Sequence, residues 1–256
     1  MTLPRRQSHA LLILTLALIW GPANPWSVVR AEVPSGSPTF SNSLNIDNTF
    51  FPFESGGLKI FEGSDHGTKI AAVDSYLTTT RTFTWNGSAV GCHILVEEAY
   101  EDEVLVERSF NYFAQADDGT VYYFGEVVNN FDENGAIVNH DGSWLVGGPQ
   151  GSDPAETATA FDPAVFMPAN PEVGDTFKPE DLFPIVDETV EVVGEDVDVS
   201  VPVGKHDGAI KVEESTLLGP DTEFKWYAPG VGVVKVQTRG ETLRLTYSTL
   251  VQPADD

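Results

Sequence analysis

Acidic residues are the chemistry-bearing side chains that this sequence offers most often. Paired carboxylates occur at Glu97-Glu98, Asp117-Asp118 and Asp187-Glu188. Two carboxyl groups that face each other across a cleft carry out glycoside hydrolysis, but in a chain with 39 acids such pairs also arise by abundance. Glu126 differs from them because it follows the aromatic run Tyr122-Tyr123-Phe124. It is the first acid to test as a catalytic or ligand-binding group.

The acidic stretch FDENGA (131–136) is a second candidate, as a calcium loop. An EF-hand loop needs oxygen ligands at positions 1, 3 and 5, Gly at 6 and Glu at 12. Asp132, Asn134 and Gly135 are too close together for this spacing, and no Glu ends the run. The flanking residues have the alternation of strands, so the stretch is predicted to be a hairpin turn. The sequence therefore predicts no metal site and no cofactor.

Histidine, cysteine and serine offer weaker candidates. His66, His93, His140 and His206 lack the spacing of a zinc site. Cys92 is adjacent to His93, but neighbouring strand residues face opposite sides of a sheet, so the two cannot form a nucleophile and its base. Cys92 is predicted to be a small buried hydrophobic residue. The sequence has no G-x-S-x-G motif and no phosphate- or dinucleotide-binding glycine motif after a strand.

Aromatic residues are the features most suggestive of ligand binding. Six of them cluster in the predicted hairpins: Tyr112, Tyr122, Phe124, Trp144, Trp226 and Tyr227. If the sheet is curved, one alternating face could line a cavity for an apolar or sugar ligand. Aromatic residues also dominate ordinary β-sheet cores, so plain packing is the alternative. Together with Glu126, these six residues are the candidate ligand-binding set.

The N-terminus has the pattern of a secretory signal peptide. Arg5 and Arg6 precede an apolar run from Ala10 to Trp20, and the small residue Ala31 follows a polar stretch. The run is roughly half of the ~20 residues that span a bilayer, so no stable membrane anchor is predicted. Residues 1–31 are predicted to be removed by cleavage near Ala31, which leaves a secreted or periplasmic protein.

The chain is strongly acidic. It has 14 Lys and Arg against 39 Asp and Glu, a net charge of −25. Without the three arginines of the predicted signal peptide, 11 basic residues and a charge of −28 remain. Such a field repels nucleic acid, so no nucleic-acid partner is predicted. It favours a solvated acidic surface or, as an alternative, one that binds divalent cations. The single cysteine excludes an intramolecular disulfide.

The rest of the chain predicts a mainly β protein, a curved antiparallel sheet of half-barrel or barrel-like form with at most one short helix. Residues alternate with period two, and turn signals such as Asn86-Gly87 separate the strands. Strands are predicted at 78–85, 92–98, 104–113, 121–128, 136–139, 143–146, 188–193, 197–203, 209–215, 222–227, 232–238 and 242–251. A proline-rich loop (147–184) interrupts them, and a flexible segment (32–48) and a tail (252–256) flank a single domain (49–251).

Two segments match across the proline-rich loop and predict an internal duplication. Val96-Glu97-Glu98 is aligned with Val212-Glu213-Glu214, and Phe110–Ala114 with Phe224–Ala228. The two predicted units span about 49–146 and 168–251, and each would cover the apolar face of the other. Convergence is the alternative, because most antiparallel strands are rich in Val, Glu and aromatic residues.

The second copy contains the run YAPGVGVVK (227–235). This run resembles the closing hairpin of a widespread family of uncharacterised secreted bacterial proteins, some of them similar to half-barrel lipoprotein-carrier folds. The stretches MPANPEVGDTF (167–177) and NTFFPFESGGLKIFEG (48–63) resemble the same group. The resemblance implies a curved sheet around an apolar cavity and a location outside the cytoplasm. It supplies no catalytic residues.

Three functional hypotheses follow from these observations. The first is a non-enzymatic binding or carrier protein that holds a small apolar or envelope-derived ligand in the concave face. The second is a secreted hydrolase that acts on a polysaccharide through paired carboxylates. The third is an acidic cell-surface protein that binds divalent cations. The first is preferred because it agrees with the half-barrel resemblance and because catalytic motifs are missing from the sequence.

Overall fold

The computed structural model describes residues 33, 37–220 and 222–250. The predicted signal peptide with its cleavage site and the predicted tail lie outside these residues. Every regular element in the described ranges is a β-strand. Among the same residues, no helix is long and apolar enough to cross a membrane.

Fifteen strands follow one another along the chain. They are β1 (Leu58–Asp65), β2 (Thr68–Trp85), β3 (Ser88–Glu101), β4 (Val104–Gln115), β5 (Val121–Phe131), β6 (Ile137–Asn139), β7 (Trp144–Val146), β8 (Ala158–Ala160), β9 (Ala164–Met167), β10 (Thr176–Leu182), β11 (Val186–Val201), β12 (Gly204–Ser215), β13 (Thr222–Ala228), β14 (Gly232–Gln237) and β15 (Glu241–Ser248).

All fifteen strands belong to one sheet that is nearly closed into a barrel. The hydrogen-bonded order is β10-β11-β12-β13-β14-β15-β1-β2-β3-β4-β5-β7-β8. β6 and β9 both pair with β5, and β9 also contacts β10, so the two ends of the sheet approach each other at this seam. The pairs are antiparallel except for β7 with β8. The predicted mainly β, curved antiparallel sheet is confirmed.

Turn chemistry explains why the strands reverse where they do. Asn86 and Gly87, between β2 and β3, both have positive φ (48° and 75°), as a tight hairpin turn requires. The FDENGA stretch is also a turn, between β5 and β6. There the Asp132 carboxylate accepts hydrogen bonds from the backbone N–H groups of Asn134 and Ala136, each with an N–O distance of 2.9 Å. These hydrogen bonds lower the pKa of Asp132.

The proline-rich segment 147–184 is only partly a loop, which corrects its sequence-based description. It contains β8, β9 and the whole of β10. These short strands have few residues over which an alternating pattern can show, and they form because they pair with strands elsewhere in the sheet. β9 in particular pairs with β5 through Val165 and Tyr122.

The segment predicted to be flexible (32–48) is packed against the sheet over residues 37–48. The Phe40 ring meets the rings of Tyr122 and Phe124 edge-on, with centroids 5.6 and 5.5 Å apart. The Asp117 carboxylate accepts hydrogen bonds from the hydroxyls of Thr39 and Ser41. Apolar burial and hydrogen bonds to side chains far away in sequence fix this segment, and neither produces a local pattern.

The strands have an inner face, which lines the barrel interior, and an outer face. Opposite residues of a strand pair lie on the same face, and successive residues of one strand alternate between faces. Lys59 lines the interior, and it is opposite Asp74, which in turn is opposite Glu97. The inner faces of β1, β2 and β3 therefore bring a row of charged side chains into the barrel.

Candidate functional site in the barrel interior

The barrel encloses a cavity of about 100 Å³ with a charged and aromatic lining. Its charged residues are Lys59, Asp74, Glu97 and Lys225, and its aromatic residues are Phe51, Phe61, Tyr76, Phe166 and Tyr227. Pockets for drug-sized ligands are typically about 300–1,000 Å³. This cavity is smaller, and it suits a ligand of a few heavy atoms or a small group of water molecules.

Lys59 and Asp74 form a buried pair of opposite charge. Lys59 is only 2% exposed, and burial lowers the pKa of its ammonium to about 8, while the Asp74 charge opposes that shift. Burial raises the pKa of Asp74 to about 6, and Lys59 and Lys225 oppose this shift. Both groups are therefore charged at neutral pH. The Lys59 Nζ also lies 5.6 Å from the centroid of the Tyr76 ring.

Lys225 lies at the centre of a second group of charges. Its Nζ is 2.5 Å from Glu214 and 3.1 Å from Glu223, and Glu188 is hydrogen-bonded to Glu214. Burial, followed by the neighbouring Glu188, raises the pKa of Glu214 well above its ordinary value. The pKa of Lys225 is also raised, because the surrounding carboxylates outweigh its burial. One ammonium is thus shared by three carboxyl groups.

Three further carboxyl groups have no ammonium in direct contact. Burial is the largest cause of the raised pKa values of Glu97, Glu107 and Glu126, which are each about 8. Negative neighbours add to the shift: Asp74 acts on Glu97, and Glu97 acts on Glu107. These three groups are predominantly protonated at neutral pH, because their pKa values lie above it.

Glu126 forms a carboxyl pair with Glu180. The two side chains are hydrogen-bonded, and Tyr123 also contacts Glu126. The second Glu180 oxygen, Oε2, is buried without a hydrogen-bond partner, and so is Nε1 of Trp144. Trp144 lies directly opposite Glu126 in the β5–β7 pair. A buried acceptor and a buried donor are therefore unsatisfied near the same carboxyl pair, where each carries a desolvation cost.

The structure does not bring the seven predicted site residues together. Tyr227 lines the cavity, and Glu126 and Trp144 lie on the inner face near the seam. Tyr112, Tyr122 and Phe124 lie on the opposite side of their strands. There Tyr112 and Phe124 both pack on the Phe83 ring, and Phe40 covers Tyr122. Trp226 is on the outer face of β13, because its neighbours Lys225 and Tyr227 face the cavity.

The cavity contains residues that the sequence analysis missed. Lys59 and Asp74 lie in β1 and in the first half of β2, strand regions that it did not identify. Lys225 was in a predicted strand, but its inward orientation was not inferred. A signal was available, because period-two alternation places Lys225 on the same face as Tyr227 and Lys59 on that of Phe61. Glu180 had no such signal, since it lies in the proline-rich segment.

Cys92 is fully buried, as the sequence predicted. Burial raises the pKa of its thiol well above the ordinary value, so the reactive thiolate is disfavoured. The adjacent His93 faces the other way, stacked on Phe53 with centroids 4.3 Å apart. No group of three or more side chains within the described ranges is arranged to hold a metal ion.

Comparison with known proteins yields no relative. No family model, no curated protein and no solved structure matches this chain.

Proposed function

We propose that this protein is a non-enzymatic binding protein that takes a small organic cation, such as a short amine, into the barrel interior. The observation that carries the proposal is an excess of carboxyl groups over ammonium groups in the barrel interior. Eight carboxyl groups of the interior, four of them buried and four partly buried, have raised pKa values, against two ammonium groups, Lys59 and Lys225. The carboxyl groups belong to Asp74, Glu97, Glu107, Glu126, Glu180, Glu188, Glu214 and Glu223.

Two kinds of contact would hold the ligand. Aromatic ring faces attract cations, and the attraction grows when the cation is desolvated. Tyr76 and Tyr227 supply such rings beside the carboxyl groups of Asp74 and Glu97. A cation in the cavity would also favour ionisation of Glu97, whose pKa of about 8 reflects burial beside the negative Asp74.

The proposal departs from the apolar ligand expected from sequence. An apolar molecule in this cavity would displace water from Lys59, Asp74 and Glu97 without supplying hydrogen bonds, which costs free energy. The cavity volume of about 100 Å³ also favours a ligand of few atoms. A short amine satisfies both conditions.

The hydrolase hypothesis has weaker support from the geometry. The carboxyl groups of a glycosidase are separated by about 5–5.5 Å in retaining enzymes and about 6.5–9.5 Å in inverting enzymes. Glu126 and Glu180 are instead in hydrogen-bond contact. They are also 5% and 2% exposed, so a polysaccharide has no access to them in this conformation.

Thermal unfolding with methylamine, ethanolamine and choline tests the proposal, with ethanol as the uncharged control. A ligand that binds only the folded state at about 100 times its Kd adds about 2.7 kcal/mol of stability. We expect at least one amine to raise Tm and ethanol to leave it unchanged. Mass spectrometry of the purified protein under non-denaturing conditions should also detect a small amine that co-purifies with it.

Two variants separate interior binding from attraction to the acidic surface. Glu97→Gln removes an ionisable carboxyl group from the interior at nearly constant volume, whereas Glu62→Gln removes an exposed one from the outer face of β1. The amine effect should shrink in Glu97→Gln and persist in Glu62→Gln. If no amine shifts Tm, or if both variants lose the shift equally, the barrel interior is not the binding site and the proposal fails.

A further inference from the structure

Four side chains form a straight row across the outer face of β12, β13, β14 and β15. Lys211 is opposite Trp226, Trp226 is opposite Lys235, and Lys235 is opposite Arg244. Adjacent strands lie about 4.8 Å apart, so the row is about 14 Å long. Three of its four members carry a positive charge in a chain whose net charge is −25.

Aromatic rings, not carboxylates, hold the two lysines of this row. The Nζ of Lys235 lies 4.1 Å from the centroid of the Trp226 ring. The Nζ of Lys211 lies 3.9 Å from the Phe224 ring centroid and 5.1 Å from that of Trp226. A ring face attracts a cation but does not neutralise it. The positive charge of the row is therefore held in place and left available.

The lack of an acidic partner sets this row apart from five of the eight other Lys and Arg residues that the structure describes. Arg81, Arg108, Lys178, Lys205 and Lys225 all form ion pairs. Within the described part of the chain, none of the three cations of the row does so.

The charges in the row act on one another. Burial lowers the pKa of Lys235, and the neighbouring charges of Arg244 and Lys211 lower it further. Glu62 lies opposite Arg244 at the end of the row, but these two described residues form no ion pair. An unneutralised row of like charges is destabilising, and an anionic partner would relieve the repulsion.

We propose that this cationic row is a binding site for a linear anionic polysaccharide that carries sulfate or carboxylate groups. The occupant is inferred from the shape of the charge distribution. Single charges follow one another in a line across separate strands, which suits a chain that carries separated anionic groups. Arg244 is exposed, and the other members are partly exposed, so a polymer can reach them along the sheet surface.

Other anionic partners fit the row less well. Nucleic acid carries densely spaced phosphates, and a protein with 39 acids against 14 bases repels them strongly. Its bases would also need free ring faces for stacking, whereas lysine ammonium groups already lie over Trp226 and Phe224. An anionic membrane presents a broad negative surface, which the acidic remainder of the protein would repel.

Binding to dextran sulfate and to polygalacturonate tests the proposal and distinguishes sulfate from carboxylate recognition. Neutral dextran, a single-stranded DNA oligonucleotide and phosphatidylglycerol vesicles complete the set. We expect one or both anionic polysaccharides to bind, with affinity that falls as salt is added, and neutral dextran to fail. Tighter binding to DNA or to vesicles than to both polysaccharides would overturn the assignment, and so would absence of binding.

Variants assign the binding to the row. Lys235→Gln should weaken it by about fivefold, as the loss of one exposed ionic contact does. Trp226→Ala should weaken it by about tenfold or more, because it releases Lys235 and removes one of the two rings that hold Lys211, whereas Trp226→Phe keeps a ring face and should retain most of the affinity. Lys205→Gln is the matched control, since it removes one exposed lysine that is already paired with Asp198 and Asp207.

The variant series also has outcomes that would contradict the site. If Lys205→Gln weakens binding as much as Lys235→Gln, the effect is one of overall charge, and the row is not the site. A wild-type protein that self-associates in sedimentation while Lys235→Gln is monomeric would identify a second copy as the occupant and overturn the polysaccharide. Neither result depends on amine binding in the interior, so this proposal and the proposed function fail separately.

Discussion

The hairpins β3–β4 and β12–β13 both bring a glutamate into the barrel interior, but only the second supplies an ammonium beside it. In the first hairpin the interior residues include Glu97 and, on the facing strand, Asn111, whose Oδ1 accepts a hydrogen bond from Tyr123. In the second, Glu214 is in direct contact with Lys225. A neutral amide in one hairpin thus corresponds to a cation in the other.

This difference affects the ionisation of the interior carboxyl groups in each hairpin. Around Lys225 the carboxyl groups can ionise in part, because an ammonium lies within 2.5 Å of Glu214. Around Asn111 no ammonium of the described residues is in direct contact with a carboxyl group, and burial raises the pKa values of Glu97, Glu107 and Glu126 to about 8. The second hairpin depends on an ion pair, and the first depends on protonation. The two should therefore respond to different perturbations.

Removal of the ammonium from the second hairpin should produce the largest effect. Lys225→Met leaves Glu214, Glu188 and Glu223 without their cation, and loss of one partner from a buried ion pair costs about 3–5 kcal/mol. Chemical denaturation at neutral pH should show that the free energy of unfolding falls by this amount. Lys205→Met, on an exposed lysine, is the control and should change stability by less than about 1 kcal/mol. Equal losses in the two variants would remove the distinction between the hairpins.

Alkaline pH should weaken the first hairpin. The folded-state pKa values of Glu107 and Glu126 are raised from 4.5 to about 8. Between these pH values the folded protein retains protons that the unfolded chain releases, so the stability that these two groups contribute is fully present below about pH 4.5 and is lost as pH rises to about 8. Each such carboxyl contributes about 1.4 kcal/mol per pH unit at most. Denaturation between pH 5 and pH 8 should show this fall, and a flat or rising profile would contradict it.

Lys59 does not cancel this fall. The pKa of its ammonium is lowered from 10.5 to about 8. Below pH 8 the group is protonated in both the folded and unfolded states, so it adds no slope there. Above about pH 8 the folded protein releases this proton while the unfolded chain still holds it, so the contribution of Lys59 to stability rises with pH there.

A single interior glutamate can be removed from the pH profile. Glu107→Gln takes away one proton that only the folded state retains, so the slope between pH 5 and pH 8 should become shallower by about 1 kcal/mol per pH unit. The comparison uses denaturation curves of variant and parent at the same pH values. Glu103→Gln, in the exposed turn before β4, should leave the slope unchanged. A slope that remains the same in Glu107→Gln would show that this group titrates normally.

The smallest effect is expected on the outer face of the first hairpin. There Arg108 pairs with Glu98 at 2.5 Å, and both side chains are partly exposed. Because water screens such pairs, Arg108→Gln should lower the free energy of unfolding by no more than about 1 kcal/mol, and added salt should make this loss smaller. Denaturation at low and high salt measures both quantities. A loss as large as that of Lys225→Met would show that the outer face carries as much electrostatic energy as the interior.

The sequence predicted the strands and the curved sheet because alternation and turn residues are local signals. Asn86-Gly87 and FDENGA both form the expected turns. The interior charges were missed because they depend on how distant strands meet. Glu97 is an example. The predicted repeat aligned Glu97 with Glu213. In the structure Glu213 is opposite the outward-facing Phe224, and Glu214 is the residue that faces the interior, in contact with Lys225.

The seam of the barrel has a consequence for exchange between its interior and the solvent. Closure depends on β9, a strand of four residues, whereas β2 has eighteen. Short strands with few hydrogen bonds open locally at a lower free energy than long ones. β9 contributes Phe166 to the cavity lining, so its opening would uncover the interior while the long strands stay paired. The stability of four residues, not that of the whole fold, is then expected to set how quickly a bound molecule enters or leaves.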